Sequence, residues 1–200
     1  MRVIAGKFRS CTLKALEGRE TRPTYDRLKE TLFNVLFASG KVQDCIWADL
    51  FAGTGAIGIE AASRGAQSIY FAENNPKALR VLRQNLAALN LSEAGVAERD
   101  AAEALRQWEQ MGIQFDVCFL DPPYALHGAY AEALRTLARG KLLRTDAVVV
   151  AEHEKRFDPG EQVETLRRYR LLKQGDSALS FYRREDHGAA DDAAQGSTQS

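Results

Sequence analysis

Asp121-Pro122-Pro123-Tyr124 is the stretch of this 200-residue sequence whose residue types point most directly to a chemistry. Two consecutive prolines stiffen the backbone and remove two N–H donors. What remains is acceptors: the Asp121 carboxylate and the carbonyls beside it. Such an edge suits an exocyclic amino group, a poor nucleophile because its lone pair is conjugated into its ring. Hydrogen bonds from its N–H groups to Asp121 and the Pro122 carbonyl would raise electron density on nitrogen as positive charge develops there. Tyr124 offers a flat face to a planar base. The plainer alternative is a turn after a strand, since Pro-Pro often marks loops.

A second group of residues lies upstream, in "DLFAGTGAIG" (49–58). Gly53, Gly55 and Gly58 spell G-x-G-x-x-G, and Glu73 follows Gly53 by 20 residues. A glycine turn between a strand and a helix admits a ligand close to the backbone and offers it unpaired N–H groups. A carboxylate at Glu73 can accept from both hydroxyls of a ribose. These features fit any adenosine-bearing cofactor. Asp49 separates the candidates. A pyrophosphate there would meet a like charge at close range, whereas S-adenosylmethionine would bring an ammonium group. The alternative role for Asp49 is to cap a loop or helix. Asp100 has two compatible readings: acceptor for an adenine amine, or N-cap of the helix that follows.

These residues need strand ends to hold them, and the surrounding pattern supplies strands. Pro23 opens a helix over 24–38, with Leu28, Leu32, Val35 and Leu36 at helical spacing. Thereafter strands at 45–51, 68–72, about 95–99, 115–120 and 147–152 alternate with helices at 56–64, 76–89, 101–110 and 128–139. Asn75 is a candidate N-cap with Pro76 at the first helical position, and Gly140 closes the last of these helices. A hairpin over 166–173 and 178–184 turns at Gly175-Asp176. This is an α/β pattern: a mostly parallel sheet covered on both faces, with a C-terminal antiparallel hairpin. Residues 1–22 read as a basic extension forming a short hairpin around Gly6-Lys7, and 185–200 as a disordered acidic tail.

Formal net charge is zero but unevenly spread. Residues 1–30 carry eight Lys/Arg against four acids, and residues 164–184 six against two. Two basic segments flanking the body suggest a polyanionic partner. No apolar run is long enough to span a bilayer, and the charged N-terminus lacks a signal peptide's apolar centre, so a cytoplasmic protein is expected. Cys11, Cys45 and Cys118, with His127, His153 and His187, lack the spacing of metal ligands. No long exposed apolar stripe calls for a dimer, so a monomer is expected.

The D-P-P-Y stretch resembles amino-methyltransferases that use S-adenosylmethionine. Other stretches are similar to one family among them, the RsmD family, which methylates a guanine amine in bacterial 16S ribosomal RNA. They are "RPTYDRLKETLFNVL" (22–36), "DLFAGTGAIGIEAASRGA" (49–66), "FAEN" (71–74), "FLDPPY" (119–124) and "EHEK" (152–155), with "MRVIAGKFRS" and "KQGDSALSFY" at the two ends. The resemblance covers roughly residues 1–184. It implies a Rossmann-like methyltransferase domain over 23–184 and ribosomal RNA or the small ribosomal subunit as partner. It also implies that Asp49, Phe51, Gly53, Gly55, Glu73, Asn74 and Asp100 hold the cofactor. Asp121, Pro122, Pro123 and Tyr124 would hold the target amine. Arg2, Lys7, Arg9, Arg22 and Arg27 would contact RNA phosphates, which position a substrate without reading its sequence. One departure is Tyr25, where the pattern leads us to expect a second Thr; it reads as a local variation. The motifs alone also admit adenine in DNA or a protein glutamine as acceptor. Two further readings, a nicotinamide-dependent oxidoreductase and a non-catalytic RNA-binding protein, fit them less well.

Overall fold

A computed structural model describes residues 1–16, 23–123 and 125–185. Arg22, Tyr124 and the acidic tail from residue 186 lie outside the described residues. Helix α1 (Pro23–Ala38) is followed by β1 (Ile46–Leu50), α2 (Ala56–Ser63), β2 (Ser68–Ala72), α3 (Pro76–Ala88), β3 (Gly95–Ala97), α4 (Ala101–Gln110), β4 (Phe115–Leu120), α5 (His127–Arg139) and β5 (Leu143–Glu154). Three antiparallel strands close the chain: β6 (Gln162–Val163), β7 (Leu166–Gln174) and β8 (Ser177–Arg184).

The strands form one sheet in the order β3-β2-β1-β4-β5-β8-β7-β6. The first five run parallel, and β8 returns antiparallel against β5. Central strands need apolar residues on both faces, and β4 (FDVCFL) is buried at every position but one. Alternate residues divide the core into two layers. Trp47, Phe71, Val117, Phe119, Val150 and Phe181 face α1, α2 and α3. Ala48, Leu50, Cys118, Leu120, Val149 and Tyr182 face α4 and α5. Each fully buried Phe or Leu contributes about 1.5–3 kcal/mol. Strand order reverses between β1 and β4, and in such sheets the crevice at that reversal, beyond the carboxyl ends of the strands, is where ligands bind.

The sequence differs from the structure at polar edges. Strand β5 begins at Leu143, four residues before the expected start, because exposed Arg144, Thr145 and Asp146 hide the pairing of Leu143 with Phe115. Two-residue β6 has no apolar run to announce it. Gly140 ends α5 in an extended conformation (φ −80°, ψ 174°), not a left-handed one. Glycine is needed there because a Cβ would lie 2.8 Å from Glu109 Oε1 and 2.9 Å from the Thr136 carbonyl.

Residues 1–13 fold over the α1/α2 side. Arg2 bridges Thr12, the Val3 N–H donates to the Cys11 carbonyl at 3.0 Å, and the Leu13 N–H donates to the Met1 carbonyl at 2.8 Å. Among the described residues no helix is long and apolar enough to cross a membrane.

Candidate active site

The carboxyl ends of β1, β2 and β4 bring most of the sequence-derived candidates to one place. Beyond β1, Phe51 adopts a left-handed backbone (φ +67°), unusual for a bulky residue and a sign of local strain. The glycine turn follows, and its three glycines do different work. Among the described residues, nothing lies within 4 Å of where a Cβ on Gly53 (φ +57°) would stand, so its surface is open to a ligand. Gly55 (φ +81°) begins α2 and would collide with Leu82 if it carried a side chain. A Cβ on Gly58 would collide with the Phe71 ring, so this residue lets α2 lie close to the sheet.

Asp49 is 2% exposed, and its Oδ2 accepts from the Gly58 N–H at 2.8 Å. The capping role considered from sequence therefore occupies one of its oxygens. Burial pushes its pKa up to about 7; the Gly58 hydrogen bond opposes the rise, and the Asp121 and Glu73 carboxylates add to it. Glu73 binds the glycine turn directly, its Oε2 accepting from the Gly53 N–H at 2.7 Å. Its Oε1 accepts from the N–H groups of Asn74 and Asn75 at 2.9 and 2.7 Å. Asn74 itself is exposed, at the mouth of the crevice. Asp100 is exposed and caps α4, accepting from the Glu103 N–H at 2.8 Å.

Asp121 follows β4 and is half-buried; its N–H reaches the Leu50 carbonyl at 3.4 Å. Pro122 is buried and Pro123 exposed. The rigid acceptor edge thus lies beside the end of β1.

Two residues that sequence reasoning left out of the site are part of it. Phe119 pairs with Val150 and Leu120 with Ala151, so one further step of register sets Asp121 against Glu152. Glu152 is only 5% exposed. Burial holds its carboxyl well above the usual range and the Asp121 charge adds to this, while a Ser177 hydrogen bond opposes it. Tyr25 comes from the first turn of α1. Burial raises its pKa, and so do the charges of Glu152, Asp121, Asp49 and Asp26. Tyr25, read from sequence as a local variation, thus lies within electrostatic reach of the site's carboxylates. The signal for Glu152 was its place in the "EHEK" stretch at the end of an apolar strand. Nothing local signals Tyr25, which is 96 positions from Asp121.

The basic residues do not join this cluster as a group. Arg2, Lys7, Arg9 and Arg27 are exposed. The Lys7 and Phe8 N–H groups bind Ser63, the last residue of α2. An eight-residue helix spans about 12 Å, so Lys7 sits roughly that far from the glycine turn, at the opposite end of α2.

A family model described as "Conserved hypothetical protein 95" matches residues 1–183. The "Putative rRNA methyltransferase YlbH" of Bacillus subtilis is 36% identical over 188 residues, covering 92% of this chain and 99% of the relative. The "Ribosomal RNA small subunit methyltransferase D" of Haemophilus influenzae is 35% identical, covering 92% of each chain. A solved structure described as "Putative methyltransferase yhhF from Escherichia coli" superposes with a TM-score of 0.77 at 31% identity, covering 92% of this chain and 98% of that one. With a family model matched almost end to end and relatives of this identity and coverage, the chain belongs to the family that its motifs resemble, the RsmD family.

Proposed function

We propose that this protein transfers a methyl group from S-adenosylmethionine to the exocyclic amine of a guanine in small-subunit ribosomal RNA. The observation that carries the reading is the acceptor edge of Asp121 and Pro122 placed beside the glycine turn, in a chain whose relatives are named as ribosomal RNA methyltransferases. The residues present fit the cofactor: the open surface at Gly53, the second oxygen of buried Asp49, and the Glu73 carboxylate lining the turn. In this reading Asp49 would meet the ammonium, Glu73 the ribose and Asp100 the adenine, and Phe51, Gly55 and Asn74 would complete the cofactor's surroundings. The cofactor supplies an electrophilic methyl group on a sulfonium sulfur.

The chain's own residues orient the acceptor. Asp121 and the Pro122 carbonyl accept from the amine's N–H groups and direct its lone pair at the methyl carbon. With the methyl donor bound, the Asp121 carboxylate would offset the positive charge that develops on the acceptor nitrogen. The amine then sheds one proton, so no strong base is required. The target base must be unpaired or flipped out to reach this position, and Pro123 and Tyr124 are assigned to hold it. Arg2, Lys7, Arg9, Arg22 and Arg27 contact phosphates, and the protein acts as a cytoplasmic monomer with residues 23–184 as the catalytic domain.

Asp121→Ala is expected to lower kcat by about 100-fold or more, with cofactor affinity within a few fold of wild type. Labelled-methyl transfer to small ribosomal subunits, naked ribosomal RNA, DNA and protein, followed by mapping of the modified nucleotide, tests the acceptor. Turnover near wild type in the Asp121 variant, or transfer only to DNA or protein, contradicts this reading.

A further inference from the structure

The rim of the site carries a second aromatic surface. The His127 imidazole, at the start of α5, lies flat on the Phe157 ring, with centroids 4.1 Å apart and planes 7° apart. Phe157 is held from the protein side by Tyr130 (5.1 Å, tilted) and by the edge of His153 (6.1 Å). Those two rings are themselves fixed. The Tyr130 hydroxyl donates to the Glu152 carbonyl at 2.8 Å, and His153 Nε2 lies 2.9 Å from the Ser180 hydroxyl. The stack is thus anchored at its base, while its outermost ring, His127, is exposed.

Its position is beside the acceptor edge. The Leu126 N–H donates to the Pro123 carbonyl at 2.8 Å, closing a turn that starts within the acceptor edge and setting His127 directly after it. Leu126 is 53% exposed, an apolar side chain left in solvent next to an open ring. Lys155 and Arg156, adjoining Phe157 in the loop after β5, are exposed, and neither forms an ion pair among the described residues. A flat ring, an apolar flank and two unneutralised cations make a surface for a planar base attached to a phosphate. A lone surface pair capping α5 would need neither the exposed Leu126 nor the unneutralised cations.

We propose that His127, supported by Phe157, is a stacking platform for an unpaired nucleotide adjacent to the target guanine, with Lys155 and Arg156 on its phosphates. This rests on the ribosomal RNA reading above. Extruding a base leaves its neighbour without a stacking partner on one side. An aromatic ring at the rim of the pocket restores that partner and stabilises the open form of the RNA. Stacking of this kind tolerates any base, so the platform adds affinity without sequence preference.

The test uses the full chain with small ribosomal subunits and with a small-subunit ribosomal RNA transcript in parallel, measuring Kd by filter binding and KM at saturating S-adenosylmethionine on whichever the wild type methylates. His127→Ala is expected to raise both about 5- to 100-fold, and His127→Phe to restore them to within about twofold. Cofactor affinity and melting temperature are expected to match wild type in both variants. Replacing Lys155 or Arg156 with Ala is expected to flatten the log Kd against log salt line by about 0.7 per residue. Methylation of either substrate by the wild type, with its Kd and KM unchanged in His127→Ala, overturns the platform alone. Failure of the wild type to methylate both the subunits and the transcript overturns the ribosomal RNA reading, and the platform with it.

Discussion

Burial pushes the Asp49 carboxyl up to about 7, so it titrates near neutral pH. The sign follows from the direction of the shift. An acid raised from 3.8 to about 7 holds a proton in the folded chain that the unfolded chain has released. Its contribution to stability is complete below about pH 4 and is lost as pH rises through about 7. A bound ammonium favours the ionised form, so cofactor affinity is expected to rise between about pH 6 and pH 7.5, by at most about tenfold per pH unit. Calorimetry across that range measures it; Asp49→Asn is expected to bind more weakly and without the rise. A rise that survives in the variant assigns the titration elsewhere. Asp49 was legible in the sequence as a charge before a glycine turn. Its bond to Gly58 was legible only as an alternative, because sequence spacing does not show which backbone donor a carboxylate meets. Asn75 was plain on both counts: its side chain accepts from Lys77 and Ala78, as a residue before a first-position proline is placed to do.

Between elements, the most consequential contact is polar and buried. Lys29 of α1 and Glu60 of α2 pair at 3.3 Å with side chains 1% and 0% exposed. Glu60 also accepts from the Ile4 and Ala5 N–H groups at 2.8 and 3.0 Å and from Arg64 Nε at 2.8 Å, while Lys29 donates to the Arg2 carbonyl at 2.9 Å. One carboxylate thus joins two helices and the N-terminal segment. Removing it leaves a buried ammonium without its counter-charge and two backbone donors without their acceptor. Glu60→Ala is expected to lower stability by about 3–5 kcal/mol, read as a reduced urea midpoint; a loss below about 1 kcal/mol refutes the role. None of this was legible in the sequence, where Lys29 and Glu60 sit in different helices and no spacing joins them. The helices and inner strands were legible because their periodicity is strong: β2, α4 and β4 begin and end where the apolar pattern does. Strand β5 outran its apolar run, and the neighbourhood of Tyr25, Asp121 and Glu152 depended on a pairing between strands that no local pattern encodes.

At the scale of the whole molecule, the order of strands in the sheet makes the site. The reversal between β1 and β4 gathers residues far apart in sequence, and a reader of motifs can infer that gathering from the alternation of strands and helices alone. The placement of the N-terminal segment needed the structure. Its Lys14 N–H donates to Asn85 Oδ1 at 2.8 Å, and Asn85 Nδ2 donates to the carbonyls of Lys14 at 3.1 Å and Thr54 at 3.0 Å. One buried amide is therefore shared by the start of the chain and the glycine turn. The consequence is a common clock for deuterium uptake. Backbone protons this near a terminus ordinarily exchange quickly, but those of Ile4, Ala5 and Lys14 open only when Glu60 or Asn85 lets go. Their uptake is expected to keep pace with that of the glycine turn, and S-adenosylmethionine is expected to slow both together. Rapid exchange at Lys14 while the turn stays protected would mean that the two run on separate clocks.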